Sequence, residues 1–177
     1  MPDLDALLLS RIRSIPDWPV EGVVFRDITP LLADPAGIPA VVAGIVDGLS
    51  AAGVVGVDVV AGIEARGFVL GAPLAVGLGV GFVPVRKQGK LPGDVHAASY
   101  DLEYGQATLE LQVDAVADGQ RVVLVDDVLA TGGTAAAAVS LLRSAGAEVV
   151  ALACLLELPA LGGRDRLDVP VIALRQV

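Results

Sequence analysis

The stretch VVLVDDVLATGGTAAAAVSLL, residues 122–142, constrains this chain more than any other. Four branched apolar residues, Val122 to Val125, predict a buried strand that ends in two carboxylates, Asp126 and Asp127. A short loop follows, and an alanine-rich helix is predicted over Thr134 to Ser144. In open α/β sheets, ligands sit where strands end at their carboxyl ends. A helix N-terminus offers unpaired N–H groups and a partial positive charge, a ready site for a phosphate monoester. Gly132 and Gly133 let a backbone come close to that anion, and Thr131 and Thr134 can donate hydroxyl hydrogen bonds. The two acids need a separate explanation, because carboxylates repel phosphate. They make sense beside sugar hydroxyls, which donate hydrogen bonds, and near a cationic metal–substrate complex. Taken alone, an Asp-Asp pair reads as a strand end and a helix cap. Strand, acids, glycine loop and helix in that order read as a binding site.

The rest of the chain alternates in the same way. Residues 3–14 and 36–52 read as helices, with Leu4, Leu7, Leu8 and Ile12 at helical spacing in the first. Residues 15–34 read as irregular, with a short extended piece at Val23 to Phe25. Apolar strands are predicted near 57–61, 81–85, 107–112, 149–156 and 171–174. Strands alternating with helices imply one α/β domain whose mostly parallel sheet is covered on both faces. Residues 86–105 are polar and turn-rich, and a connection that long in a compact domain is usually functional or disordered. Gly67 to Val85 carries no charge, but the cluster Gly77, Gly79 and Gly81 would interrupt a membrane-spanning helix, so a buried helix, a turn and a strand are expected there.

Composition narrows the function. With hydrophobic residues at 54% and charged ones at 19%, disorder is not expected. A net charge of -9 with no basic stripe argues against DNA or RNA as partners, while a small phosphate ester needs only local cations and N–H groups. The single cysteine, Cys154, lies in an apolar run and reads as a small buried hydrophobe. One thiol and an N-terminus without a signal-peptide pattern fit a cytoplasmic protein.

Five further segments complete the pattern: PDWPVEGVVFRDITPLL (16–32), AGIEARGF (61–68), VRKQGKLPG (85–93), SYDLEYG (99–105) and LELPALGGRDRL (156–167). Residues 122–134 resemble the phosphoribosyl-pyrophosphate signature of type I phosphoribosyltransferases, and the full set, in its order, resembles the adenine phosphoribosyltransferase family. The resemblance departs in small ways: Trp18 stands where Phe is common, and the middle of the lid, Asp94 to His96, is variable.

The resemblance implies a small N-terminal base-binding hood over 1–34 and a flexible lid over 88–104. It implies that Asp126 and Asp127 hold the ribose hydroxyls and that Ala130, Thr131, Gly132, Gly133 and Thr134 bind the 5-phosphate. It assigns pyrophosphate to Ala65, Arg66 and Lys87, with a cis peptide near Glu64–Ala65. It assigns adenine to Val24, Phe25, Arg26 and Val128, and the purine's imidazole edge to Glu103 as the proton-handling group. The reaction it implies is adenine plus phosphoribosyl pyrophosphate to AMP plus pyrophosphate, in purine salvage. Mg²⁺ would be held mainly through the substrate, and the enzyme would be a homodimer. His96, the only histidine, lies in the lid and reads as a solvated loop residue.

Other readings fit less well. A 6-oxo purine calls for a side-chain donor near the signature loop, and Val128 and Leu129 offer none. A regulator that senses the sugar pyrophosphate would ordinarily carry a DNA-binding domain, for which the short acidic N-terminus leaves no room. No Gly-x4-Gly-Lys-Ser/Thr motif is present, and the glycines at 77, 79 and 81 lack the dinucleotide-binding spacing.

Overall fold

Hydrogen bonding in the computed structural model, described for residues 3–101 and 105–177, turns these runs into nine strands and five helices. In sequence order they are α1 (Leu4–Arg11), β1 (Arg13–Pro16), β2 (Val24–Asp27), α2 (Thr29–Ala33), α3 (Gly37–Ala51), β3 (Val59–Ile63) and α4 (Arg66–Leu78). Then come β4 (Gly81–Lys87), β5 (Val95–Asp101), β6 (Gln106–Gln112), β7 (Arg121–Leu129), α5 (Gly133–Ser144), β8 (Glu148–Glu157) and β9 (Val171–Gln176). Two 3-10 turns, Pro159–Leu161 and Gly163–Arg166, join β8 to β9.

Seven strands form one sheet in the order β5-β6-β4-β3-β7-β8-β9. The five from β4 to β9 are parallel, and the β5–β6 hairpin adds an antiparallel edge beside β4. Successive side chains on a strand face opposite ways. Along β7, Val122 and Leu124 therefore pack with α5 on one face, while Val123 and Val125 pack with α3 and α4 on the other. Each face carries its own apolar core, which is why the central strands read as unbroken hydrophobic runs. This is the α/β architecture expected from the sequence. The longest uncharged stretch is cut as anticipated: α4 ends at Leu78 and Gly79 takes a left-handed φ of 71°. No helix among the described residues is long and apolar enough to cross a membrane.

Three boundaries differ from the sequence reading. The first helix stops at Arg11, because Arg13–Pro16 leaves it to pair antiparallel with Val24–Asp27 as a separate ribbon. That ribbon and the short α2 replace the irregular segment expected over 15–34. Residues 95–101, expected within a polar connection, pair with β6 over its whole length. Ala98 and Tyr100 turn toward the core, while the Ser99 hydroxyl meets that of Thr108 at 2.8 Å. Finally, β7 runs on through Asp126 and Asp127 to Leu129, because β8 continues beside it as far as Glu157.

Candidate functional site

The carboxyl ends of β3, β4 and β7 open on one cleft of about 500 Å³. It is lined by Ala65, Arg66, Lys87, Asp126, Asp127 and Thr134, together with Glu64 and Tyr100. Val128, Ala130, Thr131, Gly132 and Gly133 line an adjoining pocket of about 80 Å³ under the start of α5. One water needs roughly 10–15 Å³ by that measure, so this pocket has room for a small anion. The residues expected to hold the sugar, its 5-phosphate and the pyrophosphate thus lie in two touching hollows. Val128, expected at the base, lines the smaller one.

The smaller hollow is built from backbone. Gly132 caps α5 with φ 80°, and no side-chain group caps the helix, so its first N–H groups are free to meet an acceptor. The Thr134 hydroxyl lies 3.2 Å from the Tyr100 hydroxyl, which ties β5 to this helix start.

Backbones also crowd at the larger hollow. A Cβ on Gly67 would sit 2.6 Å from the Val125 carbonyl oxygen, and one on Gly62 would sit 2.8 Å from the Gly67 carbonyl oxygen. The start of α4 is therefore pressed against both β3 and β7. This places Arg66 opposite the two acids, and its Nε donates to Asp127 Oδ2. Asp127 is buried. Burial and the neighbouring Asp127 carboxylate push the Asp126 carboxyl well above its usual range. The Glu64–Ala65 peptide is cis.

Glu64 gathers Arg86 and Lys90. Its carboxylate accepts from the Lys90 ammonium, from the Lys87 backbone N–H at 2.9 Å and from Arg86 Nε at 3.3 Å. Burial alone would raise its pKa, but these donors outweigh burial and hold it below the usual range. Lys87 itself remains exposed in the cleft.

At the base end, Val24, Phe25 and Arg26 lie on β2 of the ribbon. The Phe25 ring meets Trp18 edge-on at 4.4 Å, and the Arg66 guanidinium lies 5.3 Å from its centroid. Phe25 is thereby brought to the same arginine that faces Asp127. The Arg26 side chain bonds to Ser14 Oγ within the ribbon, and its Nε is buried without a hydrogen-bond partner among the described residues. His96 sits on β5 opposite Leu111, half-buried rather than in a loop. Glu103 lies outside the described residues.

From the sequence, Glu64, Tyr100 and Gly163 receive no binding or positioning role, although all three lie inside recognised segments. An acid amid apolar neighbours before Arg66 is a usable signal for the first. The Gly162-Gly163 pair was the signal for a close backbone approach. Among the described residues, no group of three or more acids, histidines or cysteines could hold a metal ion.

Comparisons with known proteins bear on the family and the fold. The family model of the phosphoribosyl transferase domain matches residues 40–172. An adenine phosphoribosyltransferase of Frankia casuarinae is 62% identical over 160 residues, 90% of this chain and 84% of that protein. The crystal structure of the Saccharomyces cerevisiae adenine phosphoribosyltransferase, complexed with an imino-altritol bisphosphate and adenine, superposes with a TM-score of 0.94 at 39% identity, covering 99% of this chain and 100% of that one. The Trypanosoma brucei adenine phosphoribosyl transferase, in complex with AMP, pyrophosphate and ribose-5-phosphate, gives 0.86 at 27% identity over 98% of this chain and 79% of that one.

Proposed function

The chain belongs to the adenine phosphoribosyltransferase family, and we propose that it is a pentosyltransferase converting adenine and phosphoribosyl pyrophosphate to AMP and pyrophosphate. The observation that carries the reading is the convergence of Asp126, Asp127, Arg66 and Lys87 on one cleft beside the open N-terminus of α5. In this reading residues 130–134 hold the 5-phosphate by N–H and hydroxyl donors. Asp126 and Asp127 accept from the ribose hydroxyls. The Ala65 backbone, Arg66 and Lys87 take the pyrophosphate, the guanidinium by paired hydrogen bonds.

Adenine stacks on Phe25, a contact worth about 1–3 kcal/mol by analogy with other base–aromatic pairs. Backbone carbonyl and N–H groups at Val24 and Arg26 read its amino and N1 edge, with Val128 beside it. A 6-oxo purine reverses that donor–acceptor order and leaves buried groups unpaired, so discrimination is strong.

Transfer at the anomeric carbon passes through a loose, oxocarbenium-like state. Positive charge grows on the sugar, where the Asp127 carboxylate favours it, and negative charge grows on the leaving group, where Arg66 and Lys87 receive it. The cleft fits Mg²⁺: it keeps most of its waters and needs only one or two carboxylates beside substrate oxygens, and Asp126 and Asp127 are adjacent hard donors. Held mainly through the substrate, the ion would neutralise the departing pyrophosphate. Glu103 takes the proton that adenine loses on attack. Of the 88–104 lid, β5 stands beside the cleft, and its Tyr100 helps to keep water from the site.

A homodimer belongs to the same proposal, supported by the uncharged outer face of α4, where Val69 and Val76 are exposed. A cytoplasmic location is supported by substrates that are charged phosphate esters.

The test is a panel of purines with phosphoribosyl pyrophosphate and Mg²⁺, following nucleotide formation. Adenine should be consumed; preferential turnover of hypoxanthine or guanine would remove the assignment. Glu103→Gln should lower kcat more than it weakens sugar-phosphate binding, and an unchanged kcat would remove the proton role. Sedimentation velocity and cell fractionation check the dimer and the location; a monomer or a membrane-bound pool overturns them.

A further inference from the structure

Two segments leave the sheet side by side. Leu129 at the end of β7 lies opposite Glu157 at the end of β8, and the Leu158 N–H donates to the Leu129 carbonyl at 2.9 Å. After Leu129 comes the loop over 130–134; after Glu157 come the two 3-10 turns. The segments meet again at Gly132 and Gly163. A Cβ on Gly132 would overlap the Gly163 carbonyl oxygen and sit 3.0 Å from its Cα. A Cβ on Gly163 would overlap the Ala130 carbonyl oxygen and sit 2.9 Å from the Gly132 nitrogen. Backbone rests on backbone with no side chain between, so the position of the 130–134 loop follows that of Gly163.

The next residue fixes Gly163. Arg164 Nε donates to Glu157 Oε1 at 2.8 Å, its Nη2 donates to Oε2, and its Nη1 reaches the Val171 carbonyl on β9 at 3.0 Å. The Glu157 side chain is only 4% exposed, and Gln176 Nε2 donates to it at 3.1 Å. The Arg164 guanidinium holds the Glu157 carboxyl below its usual range against the opposing effect of burial. Such a forked pair fixes orientation as well as distance. Without Arg164 the buried carboxylate would be left short of its cation.

We propose that the Glu157–Arg164 ion pair positions the 5-phosphate loop through Gly163, and so sets affinity for the phosphorylated sugar without touching it. The proposal rests on the reading above that residues 130–134 hold the 5-phosphate. Both residues are positioning residues. Their effect should be selective, because the pyrophosphate side of the cleft is carried by α4 and β4 instead.

The experiment compares the full-length protein with Arg164→Met and Arg164→Lys, measuring ribose 5-phosphate and Mg-pyrophosphate binding separately by calorimetry. Arg164→Met keeps the stem and loses the fork. It should weaken ribose 5-phosphate binding about tenfold, on the scale that small misplacements of binding groups produce, with pyrophosphate binding little changed. In turnover, KM for phosphoribosyl pyrophosphate should rise by a similar factor while kcat changes far less. Arg164→Lys keeps the charge but cannot fork and should fall between. A folded Arg164→Met with wild-type affinity for ribose 5-phosphate overturns the proposal, as does an equal loss for both ligands. If Arg164→Met does not fold, Arg164→Lys decides: it must lose ribose 5-phosphate affinity selectively or the proposal fails. A wild-type protein that does not bind ribose 5-phosphate would instead sink the functional reading on which this one stands.

Discussion

Replacing Gly67 by alanine sets two effects against each other at the site's tightest junction. Gly67 is the second residue of α4, and an alanine there would ordinarily gain about 0.5–1 kcal/mol of helix stability. The new Cβ, however, would lie 2.6 Å from the Val125 carbonyl oxygen and 3.4 Å from the Asp126 Cα. A retreat of roughly 0.8 Å is needed to restore ordinary contact in an interior that is already close-packed. Overpacking of this kind costs about 1–3 kcal/mol, which exceeds the helix gain and leaves a net loss of about 1 kcal/mol. For a protein of this size that lowers Tm by roughly 2–4 °C. Activity should suffer more. Whichever element gives way, Arg66 moves against Asp126 and Asp127, and misplacement near 1 Å costs about 100-fold in rate. The assay is initial-rate AMP formation with phosphoribosyl pyrophosphate varied, run well below the variant's Tm. A kcat/KM within threefold of wild type, or a raised Tm, would refute the reasoning.

Two further outcomes follow from charge and burial. Asp27 is held at about 2, below its ordinary 3.8, chiefly by hydrogen bonds from Thr29 and then by Arg13, so its contribution to stability is complete above the ordinary value and disappears as pH falls through about 2. The Tm gap between wild type and Asp27→Asn should therefore shrink over that acid range, and a gap independent of pH would contradict it. Cys154 is fully buried, and burial pushes its thiol up to about 12. An aromatic disulfide reagent at pH 8 should leave the folded protein untouched and modify one thiol after denaturation; reaction of the folded protein would show that β8 opens.

What the sequence disclosed and what it hid divide along contact distance. The β7–loop–α5 unit was legible because a strand run, a glycine pair and a helix start are neighbours along the backbone. The extension of β7 through both aspartates was not, because β8 supplies the partner that keeps Leu129 extended. Strand β5 was masked by the polarity of its surroundings, although Ala98 and Tyr100 flanking Ser99 carry an alternation that a reading of 86–105 as one polar segment missed. Arg66 and Asp127 were each assigned a ligand. Their direct bond, across 61 positions, belongs to tertiary structure alone. The meshing of Gly132 with Gly163 is of the same kind.

The acidity of the protein and its phosphate-binding site are compatible because they act over different distances. A net charge of -9 works through a screened field that fades over about 8 Å at physiological salt, enough to disfavour a long polyanion. The cleft works at contact distance, and there Arg66 rests on Asp127 while Lys87 stays exposed; beside it, Arg86 and Lys90 rest on Glu64. Under the proposed assignment, the substrate therefore exchanges partners at Arg66 and meets an exposed cation at Lys87. As Arg66 turns to pyrophosphate, Asp127 gains the ribose hydroxyls, so neither buried carboxylate nor guanidinium passes through an unpaired state, the condition that makes buried charge costly. The same arginine lies against Phe25, so the three ligand-facing groups are linked through one side chain. A free positive patch would attract phosphate more strongly from afar, but it would not discriminate a sugar phosphate from any other anion; a guanidinium already bound to a carboxylate yields only to a ligand that also satisfies the carboxylate.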